Sequence, residues 1–165
     1  MKLLHSLLRP FYLSFGPQAG GDASTGAAVT LEVRAPTLDS PAEPGTSSTK
    51  TIDAGGTVFS LGSFNATVTD TRIVFDHWGM SNRWTPADFA GPVATTAGGW
   101  SAVSLDPSSN FPGFTADRIV LDGTTLAFNM QGLVYDAGTR LVVNVSALHV
   151  KIGRASCRER VYSNV

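Results

Sequence analysis

The chain has a single cysteine, Cys157, in 165 residues, so no internal disulfide framework holds it together. Histidine is nearly as scarce: His5, His77 and His149. A metal site built on nitrogen or sulfur would need more ligands than these. Charged residues make up only 15%, with a net charge of −1, so there is no electrostatic footprint for nucleic acid. No apolar run approaches the roughly 20 residues that a membrane-crossing helix needs, and no membrane span is expected. A Gly-x-Ser-x-Gly elbow, a His-x-x-x-His pair and a Gly-rich phosphate loop are all missing. With them goes the sequence evidence for a hydrolase nucleophile, a zinc protease or a nucleotide site, and the chain is read as non-catalytic with no cofactor. No internal repeat of 20–50 residues is visible.

What is present points to strands. Seventeen glycines and many Ser and Thr residues favour an all-β domain rich in turns, and 165 residues suit one core. The clearest signal runs from Gly113 to Ala147. Ile119–Leu121, Thr124–Gln131 and Leu141–Ala147 alternate apolar with small or polar residues, as strands with one buried face do. Asp122-Gly123 fits a two-residue type I′ hairpin, and Asp136-Ala137-Gly138 a three-residue loop with Gly138 left-handed. Two hairpins in succession predict a C-terminal three-strand meander. The fold expected is an antiparallel β-sandwich, jelly-roll-like.

Residues Met1–Phe15 place Lys2 before an apolar run, like the front of a secretory signal peptide. Arg9-Pro10 interrupts the run and no small-x-small cleavage site follows, so a plain amphipathic leader stays open as the other reading. Gly16–Ala28 reads as a flexible linker, Val29–Val33 is compatible with one short strand, and Pro36–Lys50 reads as proline-rich loop or linker. Residues 1–50 are thus expected to be leader and linker, and 51–150 the sandwich domain. Within it, Asp53–Gly56 is a turn and Val58–Leu61 a strand. The buried parity changes between Val68 and Ile73, which requires a turn or bulge at Thr69-Asp70-Thr71, a hairpin being preferred. Trp78–Trp84 (WGMSNRW) reads as a loop, Trp100–Leu105 as a strand and Asp106–Asn110 as a turn.

The end of the chain reads differently. Ile152–Val161 (IGRASCRERV) is similar, residue for residue, to the conceptual translation of a short-read sequencing adaptor, and Lys151 is compatible with it. Residues 151–165 are therefore set apart from the fold, and the native chain is expected to continue beyond Val150. Removing the three Arg and one Glu of Ile152–Val161 from 12 Lys+Arg and 13 Asp+Glu takes the net charge from −1 to −3. The basic cluster is then not a nucleic-acid or membrane patch.

Three constellations carry what chemistry there is. Asp and Asn recur in turns (Asp53, Asp70, Asp106, Asn110, Asp117, Asp122, Asp136), and calcium is bound by such oxygens. Asp106 and Asn110 are the candidate ligands, although turn formation alone also explains these residues. Trp78, Trp84 and Trp100, with Phe89 and Phe111, are candidates for a platform stacking on sugar rings, against the alternative that they fill the core. A glycosidase would need two convergent acids, and Asp76 and Asp88 are candidates only by elimination. Asn65-Ala66-Thr67 and Asn144-Val145-Ser146 match the glycosylation triplet but fall in expected strands.

Leu105–Asn110, Gly113–Ile119 and Asn129–Leu133 together resemble segments of uncharacterised bacterial exported β-sandwich proteins, over about Phe64 to Ala147. Some of those carry a C-terminal sorting signal of the PEP-CTERM kind, and others accompany calcium-binding repeat exoproteins. Neither the signal nor the repeats occur in this sequence. The resemblance implies a secreted or cell-surface domain with a structural or surface-interaction role, its partner a polysaccharide or cell-surface component. It implies no catalytic or binding residue.

Overall fold

The computed structural model describes residues 26–147. The leader, His149 and the adaptor-like segment lie outside the described residues.

Twelve strands are described: β1 (Ala28–Arg34), β2 (Ser48–Thr51), β3 (Thr57–Ser60), β4 (Asn65–Val68), β5 (Arg72–Asp76), β6 (Asn82–Arg83), β7 (Gly91–Thr96), β8 (Trp100–Leu105), β9 (Ile119–Asp122), β10 (Thr125–Phe128), β11 (Val134–Tyr135) and β12 (Leu141–Ala147). One five-stranded sheet has the order β2-β1-β7-β10-β9, the other β3-β4-β5-β12-β8, and β6 pairs with β11 in a small ribbon. All pairings are antiparallel. The protein is an all-β sandwich, as its alternation requires.

The central strands turn their apolar parity inward. Val29, Leu31 and Val33 of β1 and Leu126 and Phe128 of β10 meet Phe59, Val68, Ile73, Phe75, Leu141 and Val143 of the other sheet, all nearly or wholly buried. The Phe75 and Phe128 rings bridge the layers edge to face, with centroids 5.0 Å apart. Burying side chains of this size contributes about 1.5–3 kcal/mol each. The parity change at Thr69–Thr71 is a hairpin: Val68 pairs with Ile73, and the Thr69 N–H donates to the Arg72 carbonyl at 2.8 Å.

The chain departs from the expected meander. β9 and β10 form a hairpin, but β12 lies in the opposite sheet, between β5 and β8. Alternation specifies which face of a strand is buried, not which neighbour it takes, so it reads the same in either sheet. The hairpin turn is also displaced by one residue. Asp122 pairs with Thr125, so Gly123 and Thr124 are the loop residues. Only Gly123 has positive φ (+53°), the pattern of type II′ rather than type I′. Gly138 is not among the glycines with positive φ; Asp136 organises that turn instead, accepting from the Gly138 N–H at 2.9 Å and the Thr139 hydroxyl at 3.1 Å.

The body also starts earlier than Thr51. β1 is an interior strand, paired on one side with β2 and on the other with β7. The Pro36–Lys50 segment is a strap across the first sheet rather than a linker, and its end forms β2. Arg34 Nη1 donates to the Leu38 carbonyl at 2.8 Å, Phe89 N–H to the Pro36 carbonyl at 3.0 Å and Glu43 N–H to the Val33 carbonyl at 2.8 Å. Leu38 packs on a second apolar cluster of Phe89, Val93 and Ala127, which buries β7 on both faces.

Candidate functional site

One end of the sandwich is closed by aromatic side chains. The loop after β5 drops the Trp78 indole onto Phe64, with centroids 4.6 Å apart and planes 22° apart. Phe111 meets Trp78 edge-on at 5.3 Å and Tyr135 lies 4.9 Å away. Trp84 joins Phe64 and Tyr135 at 6.0 and 6.3 Å. Such tilted and offset ring pairs add to the area term of burial.

The three tryptophans therefore do not form the exposed, coplanar platform expected from the sequence. Trp78 and Trp100 are each 3% exposed, and the Trp78 and Trp84 planes stand at 81°. Phe89 and Phe111 are buried too. The physical reason is packing: large rings lower the free energy more against other apolar side chains than facing water, Trp78 and Phe111 in the aromatic cluster, Trp100 near the far end of β12 and Phe89 under Leu38. Trp100 is also satisfied, its Nε1 donating to the Ala94 carbonyl at 3.3 Å. The indole N–H groups of Trp78 and Trp84 are buried with no acceptor among the described residues.

Trp84 alone of the three keeps partial exposure, and it lines a cleft. The small ribbon sets its position: its main-chain N–H donates to the Leu133 carbonyl at 2.9 Å and its main-chain carbonyl accepts from the Gly132 N–H at 3.1 Å. Beside it, Gly62 (φ +76°) turns the chain between Leu61 and Phe64 and presents Ser63. The strap supplies the opposite wall. There Thr46 Oγ1 donates to the Glu43 carbonyl at 2.8 Å and accepts from the Val33 N–H at 3.2 Å, fixing Glu43 and Thr46 at the rim. The resulting cleft, about 210 Å³, has an apolar floor of Val33, Leu61, Phe64, Trp84 and Tyr135 and a polar rim of Glu43, Thr46, Ser63, Arg83 and Thr85. Neither the Glu43 carboxylate nor the Arg83 guanidinium forms an ion pair among the described residues.

Asp106 and Asn110 sit elsewhere, in the turn between β8 and the segment leading to β9. Asp106 Oδ1 accepts from the Ser108 hydroxyl at 2.7 Å and its N–H at 2.9 Å; Oδ2 accepts from Asn144 Nδ2 at 3.0 Å. The Ser108 bonds, with help from Asn144, hold this carboxyl at about 2 against an ordinary 3.8. Asn110 accepts from the Arg140 N–H at 2.6 Å and donates to the Gly138 carbonyl at 3.0 Å. Both side chains staple a turn to the start of β12. Among the described residues, no three His, Cys, Asp or Glu side chains come together as a metal-holding group.

His77 is the one described non-glycine residue with positive φ (+51°), and its exposed ring pairs with Asp76 at 2.7 Å. Asp88 lies in the loop before β7, where its carbonyl accepts from Asn129 Nδ2 at 3.1 Å. Neither Asp76 nor Asp88 lines the cleft.

Sequence reasoning found Trp84 but missed Glu43, Arg83 and Tyr135. Arg83 had a weak signal, a charge adjoining an aromatic residue within a loop. Glu43 had none, since Ala-Glu-Pro-Gly reads as linker until the strap is seen. No family model matches the chain, and no curated protein or solved structure matches it either.

Proposed function

We propose that this chain is a non-catalytic β-sandwich domain of an exported protein, which engages a component of the cell surface through the cleft at Trp84. One observation carries the reading. The cleft is the place where an incompletely buried aromatic ring meets two charged side chains that have no ion-pair partner among the described residues. Asp106 and the Glu32–Arg34 pair, by contrast, are engaged within the fold. Groups left unpaired around a concave apolar floor are what a binding site presents. A non-catalytic role fits the same lining. Glycosidase chemistry takes two carboxylates flanking the reacting bond, and among the described residues Glu43 is the one acidic side chain in the cleft wall.

The test is binding of the fluorescently labelled chain to bacterial cell-envelope fragments. Saturable binding that is lost in an Arg83→Ala, Trp84→Ala double variant supports the reading. Binding that survives both substitutions removes the cleft from it.

A further inference from the structure

Resting on that reading of the cleft as the binding site, we propose that it takes one ring of a neutral saccharide, stacked on Trp84 and held at its hydroxyl edge by Glu43 and Arg83. The size argues for a single ring. About 210 Å³ is below the roughly 300–1,000 Å³ of sites that enclose drug-sized ligands, so an extended molecule would leave most of itself outside. The lining argues for the chemistry. A pyranose has an apolar face of C–H groups, which suits an aromatic floor, and a rim of hydroxyls that both donate and accept. The cleft has matching parts: Trp84 and Tyr135 below, with a carboxylate, a guanidinium and the hydroxyls of Thr46, Ser63 and Thr85 around the edge. Hydrogen bonds to ionised groups are the stronger ones, so Glu43 and Arg83 fix the ring's orientation.

The charges argue against other classes. Glu43 and Arg83 are of opposite sign, and among the described residues no second cation lines the wall, so a phosphate or sulfate would meet one attraction and one repulsion. A neutral polyhydroxylated ring uses both groups without that conflict.

The experiment is an NMR titration of the full ¹⁵N-labelled chain, with the Trp84 indole resonance assigned through a Trp84→Phe variant. The probes are neutral hexoses, N-acetylhexosamines and their disaccharides, with free amino acids as a zwitterionic arm and sulfated hexose as an anionic arm. The expected result is a saturable shift of the Trp84 indole and of the Ser63 and Thr85 amides with at least one neutral sugar. Affinity should fall at least tenfold in Glu43→Gln and in Arg83→Gln while the rest of each spectrum stays unchanged. Shifts at these positions with the amino acids or the sulfated sugar alone would overturn the saccharide assignment and leave the cleft as the site. No shift there with any probe, in a chain that still binds envelope fragments after the cleft substitutions, would overturn both readings.

Discussion

Trp78 lies flat on Phe64, its ring centroid 4.6 Å away, while its own N–H is buried without an acceptor. The same side chain thus stabilises the end of the sandwich by area and weakens it by an unmet donor. Trp78→Ala, which removes the ring, is expected to lose about 3–5 kcal/mol. Trp78→Phe keeps much of the stack and deletes the donor, whose burial costs about 1–3 kcal/mol, so the two changes oppose each other. The phenylalanine variant should lose less than half of what the alanine variant loses. Urea unfolding of the three chains checks the order.

Gly91 approaches the Phe128 backbone so closely that a Cβ there would overlap the Phe128 carbonyl. Backbone on both sides leaves no flexible side chain to yield. Gly91→Ala is expected to destabilise by about 1–3 kcal/mol, the range of overpacked cores. Gly55→Ala, where a Cβ meets nothing within 4 Å, should stay within about 0.5 kcal/mol of the parent. Equal midpoints for the two variants in a denaturant series would count against this packing.

Asp106 gives the fold an acid dependence. Its carboxyl is held at about 2 by Ser108 and Asn144, against 3.8 when unconstrained. A lowered folded value favours the native state wherever the carboxylate is ionised. The contribution is therefore complete above about pH 4 and is lost as pH falls through about 2. Asp106→Asn should lower the melting temperature at neutral pH, with the gap to the parent closing across that window. Melting curves at pH 7, 4 and 2 would show it, and a gap that is constant with pH would rule the mechanism out.

Lys50 guards an edge. From β2 its Nζ donates to the Val58 carbonyl of β3 at 2.7 Å and sits 5.4 Å from the Phe59 ring centre. β3 ends its sheet, and Val58 is 49% exposed. Charged side chains on such edges discourage pairing with another chain. Lys50→Val should raise concentration-dependent light scattering with little change in monomer melting temperature.

The longer alternating strands and the places of several tight turns were legible in the sequence because both rest on local physics, whereas the short β2, β6 and β11 were not. Parity required a turn or bulge at Thr69–Thr71, of which the preferred hairpin is the one formed, and Gly123 was placed in a turn by its tolerance of positive φ. Partners between strands were not legible. Leu141–Val145 alternates equally well in either sheet, and only the whole sandwich decides that β12 sits between β5 and β8. The strap was hidden for another reason. Pro36–Lys50 is polar and proline-rich, and what anchors it is main-chain hydrogen bonding and a single leucine, Leu38, neither of which leaves a pattern. Of the candidate site, Trp84 could be nominated by type. Its separation from buried Trp78 and Trp100 depends on what each ring packs against, a property of tertiary packing.

The pairing of β1 with β7 joins Arg34 to Gly91 and Val29 to Thr96. During synthesis, β3, β4 and β5 can zip into a local ribbon as they emerge, each next to its predecessor in the chain. β1 can pair early with β2, but its other neighbour, β7, comes only some sixty residues later, and the first sheet stays incomplete until β10 follows. Non-local pairing of this kind slows folding. For that interval Val29, Leu31 and Val33 line one side of a half-built layer. This interval, rather than the finished sandwich, is when the chain is most open to capture by a chaperone or by another nascent copy.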